Sequence, residues 1–523
     1  MAMITISHTE LRQFADLDMK ETVENLTLLG VPVESVVGEE LALEITPNRP
    51  DLLSIEGVGR ALAAFAFSKN RQYSSAAAAA NDSITIDSSV AKIRPVIGAG
   101  IVRGAQIDDD AIKSLMQLQE KLHDTLGRKR KKLAIGVHDL TKVKFPLVYK
   151  AVGLEEIAFV PLDTEEKMTA KQILEKHPKG AAYKHLVGEK CALIIDANNE
   201  VVSLPPIINA DRTRLKAGAK DLLVEVTGTS EEAVKGALNI VLCSLADRGG
   251  KISSVRIGKE SSPNLTGKRM MLPAESANKL LGTDFSKEEI AKMLVRMGYS
   301  ADAKKDEVNV PPFRTDVLHE VDLIEDIAVA YDFNKFEPTL PNFFSIGKKK
   351  AQSAAHEVLI GLGFDEVITW TLSSKKAIAK ALLPESKLVE IANPLTEDFT
   401  LMRPSLIPSL LTVLSESKKE KQPQKVYEIG TVATPELEER IGCCMLDSRS
   451  SFSNIKSVAV CLLNELGIDY EIREGKHPSF IEGRCAEIVV GKKVVGVFGE
   501  IAPQVLNNFD LEQPVSLLEI KSI

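Results

Sequence analysis

The chain has cysteines but no cysteine pattern. Cys191, Cys243, Cys443, Cys444, Cys461 and Cys485 are scattered without C-x-x-C spacing, which argues against a zinc site or a disulfide framework and for reduced thiols. No apolar run is long enough to span a bilayer. The start, MAMITISHTELRQF, lacks the basic segment and apolar stretch of a secretory leader. Positive charge is not in excess either: 65 Lys and Arg face 73 Asp and Glu, a formal net charge of -8. That balance argues against indiscriminate binding to nucleic acid. A cytoplasmic protein with no membrane partner is expected.

What is present is an ordinary globular composition, 44% hydrophobic over 523 residues. That length exceeds a single core and predicts about three or four domains. Positive charge is concentrated locally, at Arg128 to Lys132, Lys348 to Lys350 and Lys418 to Lys425. Each cluster reads as a solvated loop or an RNA contact.

The run Pro311-Pro312-Phe313-Arg314-Thr315-Asp316 leads into Val317-Leu318-His319-Glu320-Val321-Asp322-Leu323-Ile324-Glu325-Asp326. The prolines delay the helix, so Thr315 or Asp316 is its expected cap. Val317, Val321, Ile324, Ala328 and Tyr331 recur at helical steps and form the predicted buried face. Asp322, Glu325 and Asp326 then share another face, with Asp316 about two turns below. Such a patch is either a solvated face or an oxygen-rich site for a hard cation such as Mg2+.

Along the chain, Ile4 to Ile6 predicts a strand, Ser7 to Glu10 a capping box, and Leu41 to Ile45 a second strand. Thr46-Pro47-Asn48-Arg49-Pro50-Asp51 predicts a turn before a helix over 54–65. Ser74 to Asp82, SSAAAAAND, reads as a linker or long surface loop. Leu133 to Asp139 predicts a strand, with His138 and Asp139 as its polar end. In Ser203-Leu204-Pro205-Pro206-Ile207-Ile208-Asn209-Ala210-Asp211-Arg212-Thr213 consecutive prolines stiffen the backbone beside two isoleucines. Leu222 to Thr229 predicts a strand whose Glu225, Thr227 and Thr229 share one face, ordinarily a solvent side. Thr229 to Glu232 reads as a capping box for the next helix, and Ser286 to Glu289 as another. Irregularly mixed helices (351–362, 453–466) and strands after Asn342 predict an antiparallel α+β sheet.

Several of these runs carry a resemblance. RTDVLHEVDLIEDIAVAYDF is similar to the B5 signature of phenylalanine-tRNA ligase beta subunits, and ITPNRPDLLS to their N-terminal N-R-P-D-L-L-S run. LPPIIN and the E-V-T-G-T strand resemble the B3/B4 editing domain of the archaeal and eukaryotic type. Asn393-Pro394-Leu395, Leu401 to Pro408 and Gly499-Glu500-Ile501-Ala502-Pro503 resemble the family's catalytic-like domain, which is related to the class II synthetase core.

The resemblance implies an α+β multidomain chain. An N-terminal module and linker would span 1–82, a B3/B4-like editing domain 83–260, a B5-like helix-hairpin-helix domain 268–340, and a class II catalytic-like antiparallel sheet domain 341–523. It implies a beta subunit that supports ATP-dependent charging of tRNA(Phe) by an alpha subunit, in an alpha-beta unit or its doubled heterotetramer, and that hydrolyses mischarged tyrosyl-tRNA. The alternative is a scaffolding, tRNA-binding subunit without editing. The implied editing residues are Leu204, Thr213, Glu225 and Thr227; the implied Mg2+ ligands are Asp316, Asp322, Glu325 and Asp326. No arginine follows Gly499 up to Phe509, where an active class II core places one against ATP. The last domain is therefore expected to assemble a partner rather than form an adenylate.

Overall fold

A computed structural model describes residues 2–340, 347 and 353–522. The Lys348 to Lys350 cluster and the first two residues of the predicted 351–362 helix lie outside them; the helix there runs Ala354–Gly361. The chain divides into two compact units, Met1–Leu340 and Pro341–Ile523.

In the first unit the strand Leu222–Gly228 lies between Val96–Arg103 and Leu133–Asp139, antiparallel to both. All seven of its residues are buried, which overturns the expected solvent side. Strands alternate their side chains between two faces, and here both faces are covered. Val224 and Val226 share a core with Leu118 and Leu122 of the helix Asp109–Asp124 and with Val234 and Leu238 of the helix Glu231–Asp247. Leu223 belongs to a core on the opposite face with Ile97, Ala99 and Tyr149.

The N-terminal module has no core of its own. Ile4, Leu43 and Leu62 join the cluster that holds Val224 and Leu238, so the first two predicted modules share one apolar interior. The alanine-rich segment is tied down as well: Ala76 N–H donates to Ile252 O at 2.9 Å, and Ala76 O accepts from Ser254 N–H at 2.8 Å. Arg49 clamps the predicted turn, with Nε and Nη2 each 2.9 Å from the Asp51 carboxylate.

The segment after Lys268 forms a three-stranded sheet, Lys268–Met271, Ser300–Asp302 and Glu307–Val310. It packs with the helices Ala274–Leu281, Lys287–Arg296 and Glu320–Tyr331 around Leu294, Val308, Leu323 and Ile327. Ser286 and Glu289 form the expected reciprocal cap. Two other caps fall later than predicted. Ser230, not Thr229, caps the helix Glu231–Asp247, and His319, not Thr315 or Asp316, caps Glu320–Tyr331. Asp316 is held by Arg314 instead. The late start also leaves Val321 exposed and makes Leu323 and Ile327 the deepest residues of that helix.

The second unit is a seven-stranded sheet, antiparallel except where Asp365–Glu366 runs parallel to Gln424–Ala433. Helix Ile407–Glu416 packs in one core with Cys444 and Leu517, and helix Phe452–Glu465 in another with Cys443 and Leu518. The adjacent Cys443 and Cys444 thus point to opposite faces, and burial pushes the Cys443 thiol up to about 12. All six cysteines are free thiols.

Candidate active site

A small cleft of about 50 Å³ opens beside the strand Leu222–Gly228. Ser203, Pro205, Pro206, Ile207 and Asn209 form one wall; Gln119, Arg130 and Lys179 supply polar groups, and Glu225 reaches it from the buried strand. A neighbouring groove of about 170 Å³ shares Gln119, Leu162, Lys179 and Asn209 with the cleft and adds Thr213. The wall is stiffened locally: the short pair Val201–Leu204 and Ile208–Asn209 is antiparallel, and Ser203 Oγ donates to Asn209 Oδ1 at 3.0 Å.

All four residues the sequence marks for this site are buried; Glu225 borders the cleft and Thr213 the neighbouring groove, while the other two border neither. Leu204 is fully buried in a core with Phe159, Ile173 and Leu193. Its prolyl neighbours, not Leu204 itself, face the cleft. Thr227 is also fully buried, and its hydroxyl accepts from Arg94 Nε at 2.9 Å while its carbonyl accepts from Arg94 Nη2 at 2.7 Å. Burial lowers the Arg94 guanidinium to about 10, although Tyr149 and Glu225 oppose the shift.

Glu225 is 2% exposed, and its Oε2 has no hydrogen-bond partner. His138, expected at a polar strand end, is instead completely buried two residue pairs along the ladder from Glu225. Its Nε2 lies 3.8 Å from Glu225 Oε1, and its Nδ1 is 2.9 Å from Thr213 Oγ1. Sequence spacing gave no sign of this grouping, because its members come from separate strands and a turn. Nor did it reveal Gln119 and Lys179, and Arg130 stood out only as a member of the basic cluster 128–132. Arg130 ends a turn in which Arg128, Lys129 and Arg130 all have left-handed backbone, φ 46°, 54° and 64°, a costly conformation for side chains with Cβ. Arg130 donates to Ile207 O at 2.9 Å and to Glu120 at 2.9 Å. His123, 3.9 Å away, and Arg130 together hold the Glu120 carboxyl down to about 2.

The four acids predicted to hold Mg2+ do not converge. Arg314 Nη2 stands 2.8 Å from both Asp316 Oδ2 and Asp326 Oδ2, and Tyr299 donates its hydroxyl to Asp326. Asp322 Oδ2 accepts from the backbone N–H groups of Leu318 and His319 at 2.7 and 2.8 Å. Glu325 is exposed. Among the described residues no group of three or more His, Cys, Asp or Glu is disposed to hold a metal ion. A cation placed between Asp316 and Asp326 would have to displace a guanidinium; Glu325 and Asp322 are the carboxylates that remain outside that pair.

In the second unit Arg403 is fully buried, donating to Glu428 Oε1 at 2.7 Å, Thr369 Oγ1 at 2.6 Å and Thr431 O at 2.9 Å. Its charge is committed inside the sheet, so it offers nothing to a nucleotide.

Both units carry modules of tRNA synthetases. Residues 270–333 match the tRNA synthetase B5 domain, and residues 339–522 match the phenylalanyl tRNA synthetase beta chain CLM domain. A phenylalanine–tRNA ligase beta subunit of Archaeoglobus fulgidus is 41% identical across 99% of this chain and 98% of its own length. That of Methanosarcina acetivorans is 38% identical over the same shares. An N-terminal fragment of the phenylalanyl-tRNA synthetase beta subunit from Pyrococcus horikoshii superposes with a TM-score of 0.61 at 34% identity, covering 63% of this chain and 99% of the fragment. The chain belongs to the phenylalanine–tRNA ligase beta subunit family. Among the described residues no helix is long and apolar enough to cross a membrane.

Proposed function

We propose that this chain is the beta subunit of a cytoplasmic phenylalanine-tRNA ligase whose alpha subunit charges tRNA(Phe) using ATP, and that the Glu225 cleft hydrolyses tyrosyl-tRNA. A synthetic site shaped for phenylalanine discriminates poorly against a side chain that merely adds a hydroxyl, so a second site serves fidelity. The observation that carries the reading is Glu225, a buried carboxylate with an unpartnered oxygen that borders a cleft walled by prolines and isoleucines. It can accept a hydrogen bond from a phenol that a phenyl ring cannot make.

The ring would lie against Pro205, Pro206 and Ile207. Water attacks the ester carbonyl carbon, the bond to the ribose oxygen breaks, and that oxygen leaves with a proton. Positioning and a polar surround carry this chemistry on an already reactive ester. Arg130 and Lys179 line the cleft, and Arg128, Lys129 and Lys131 are exposed just beyond; a phosphodiester strand would follow them. Thr213 borders the site, while Thr227 acts through Arg94 and Leu204 through the packing beneath the wall. Mg2+, if a partner surface completes its shell, would use Asp322 and Glu325, since this ion keeps several waters and takes one or two carboxylates. It would supply a bridging charge at that surface.

The test is deacylation of tyrosyl-tRNA and phenylalanyl-tRNA by the chain purified with its alpha partner. Selective loss of tyrosine is expected. A complex that charges phenylalanine and clears neither ester is an assembling subunit without editing.

A further inference from the structure

His138 lies in the same buried group as Glu225 and Thr213, yet the reaction outlined above gives it no role. The hydroxyl of Thr213 stands 2.9 Å from His138 Nδ1 and 3.1 Å from Ala210 O. Its one proton serves a single acceptor, and given to Nδ1 along the shorter contact it leaves the ring proton of a neutral imidazole on Nε2. The other ring nitrogen, Nε2, is buried and makes no hydrogen bond, and neither does Oε2 of Glu225. Unpartnered buried polar atoms are costly and few; here two belong to side chains from separate strands that approach to 3.8 Å between Nε2 and Oε1. They are kept together by Gly136, where a Cβ would stand 2.3 Å from Glu225 Oε1 and 2.8 Å from His138 Nε2.

We infer that His138 is a specificity-determining residue of the cleft, forming with Glu225 a two-sided receptor for the hydroxyl of a tyrosyl group. The 3.8 Å gap between Nε2 and Oε1 is too long for a direct hydrogen bond. A hydroxyl set against both groups uses its whole capacity: it donates its proton to the carboxylate and accepts from Nε2–H. A phenyl ring in the same place leaves both groups dry and unpaired, which turns a difference of one oxygen into discrimination. Thr213 then serves as the post that fixes the ring plane. The inference rests on the cleft being a tyrosyl editing site and adds the donor half of the recognition.

The test uses the full chain with its alpha partner and a pair of non-hydrolysable probes, 3′-L-tyrosylamino-3′-deoxyadenosine and its phenylalanyl counterpart. Binding of each is measured to the wild type and to His138→Asn and His138→Gln. Asparagine can place an amide near Nδ1 and keep the Thr213 bond, with nothing at Nε2; glutamine can place one near Nε2. The expected result is a preference for the tyrosyl probe that falls roughly tenfold in His138→Asn and is restored in His138→Gln, with phenylalanyl binding unchanged. In 15N-histidine spectra the His138 Nε2 signal should move on adding the tyrosyl probe only. Wild-type preference that persists in His138→Asn, with an unmoved Nε2 signal, overturns the role of His138 and leaves the editing site standing. Equal weakening of both probes also overturns it, marking a structural residue. Failure of the tyrosyl probe to bind the wild type removes the editing site and this inference together.

Discussion

Thr227 and Arg94, 133 residues apart in sequence, are joined by a 2.9 Å hydrogen bond inside the first unit. Replacing Thr227 by Val leaves the Arg94 Nε–H without that acceptor in a dry site. The expected cost is about 1–3 kcal/mol, the penalty for a stranded buried donor. Thermal unfolding should show this loss in Thr227→Val and little of it in Thr227→Ser. Any fall in tyrosyl-tRNA clearance should track the loss of order rather than appear as an isolated drop in turnover.

Glu225 should behave differently. Glu225→Gln keeps the shape of the side chain but replaces a charged acceptor with a neutral amide, and a hydrogen bond to a charged group contributes about 1.5–3 kcal/mol. Tyrosyl-tRNA deacylation by the complex is expected to fall by roughly tenfold or more, with phenylalanine charging intact. Equal clearance of tyrosyl-tRNA by wild type and variant would remove Glu225 from recognition.

The strand that carries Glu225 was legible because its residue types, length and bounding Gly228 leave little else for it to be. Its surroundings were not. A polar face on a strand says nothing of what covers it, and Arg94, Tyr149 and His138 arrive from other parts of the chain. The same limit explains the carboxylate helix. Spacing put Asp322, Glu325 and Asp326 near one another, but only the tertiary structure shows Arg314 between Asp316 and Asp326. It also shows Asp316 diverted from the capping role its position suggested. The turn at 46–51 was readable from its two prolines, and the clamp on it is equally local, since Arg49 and its partner Asp51 are two residues apart.

Arg314 should be indispensable to the first unit. Removing one partner of a buried ion pair leaves an uncompensated charge and costs about 3–5 kcal/mol, and here two carboxylates with side chains about one-tenth exposed depend on one guanidinium. Arg314→Met should lower the unfolding midpoint of the first unit markedly. Millimolar Mg2+ added to the isolated wild-type chain should leave that midpoint unchanged, since the carboxylate pair already holds its cation.

A pH effect is expected in the second unit. Burial, with the Arg440 charge adding to it, lowers the His477 imidazole from 6.5 to about 4. Its Nδ1 accepts from Ser479 N–H at 3.3 Å. Between those two values the unfolded chain binds a proton that the folded chain refuses, so stability declines as pH falls from 6.5 toward 4 and this contribution levels off below. Calorimetry of His477→Gln across that window should give a flatter dependence than the wild type.

The strand Leu222–Gly228 is paired on both edges and covered on both faces. Its amide protons can exchange with solvent only when the sheet itself opens, so they should be among the slowest in the chain. Glu225 is therefore mounted on the least yielding part of the molecule. If the cleft adjusts to admit a substrate, the movement belongs to the short proline-containing wall over 203–209, while the group that reads the hydroxyl stays fixed as a gauge.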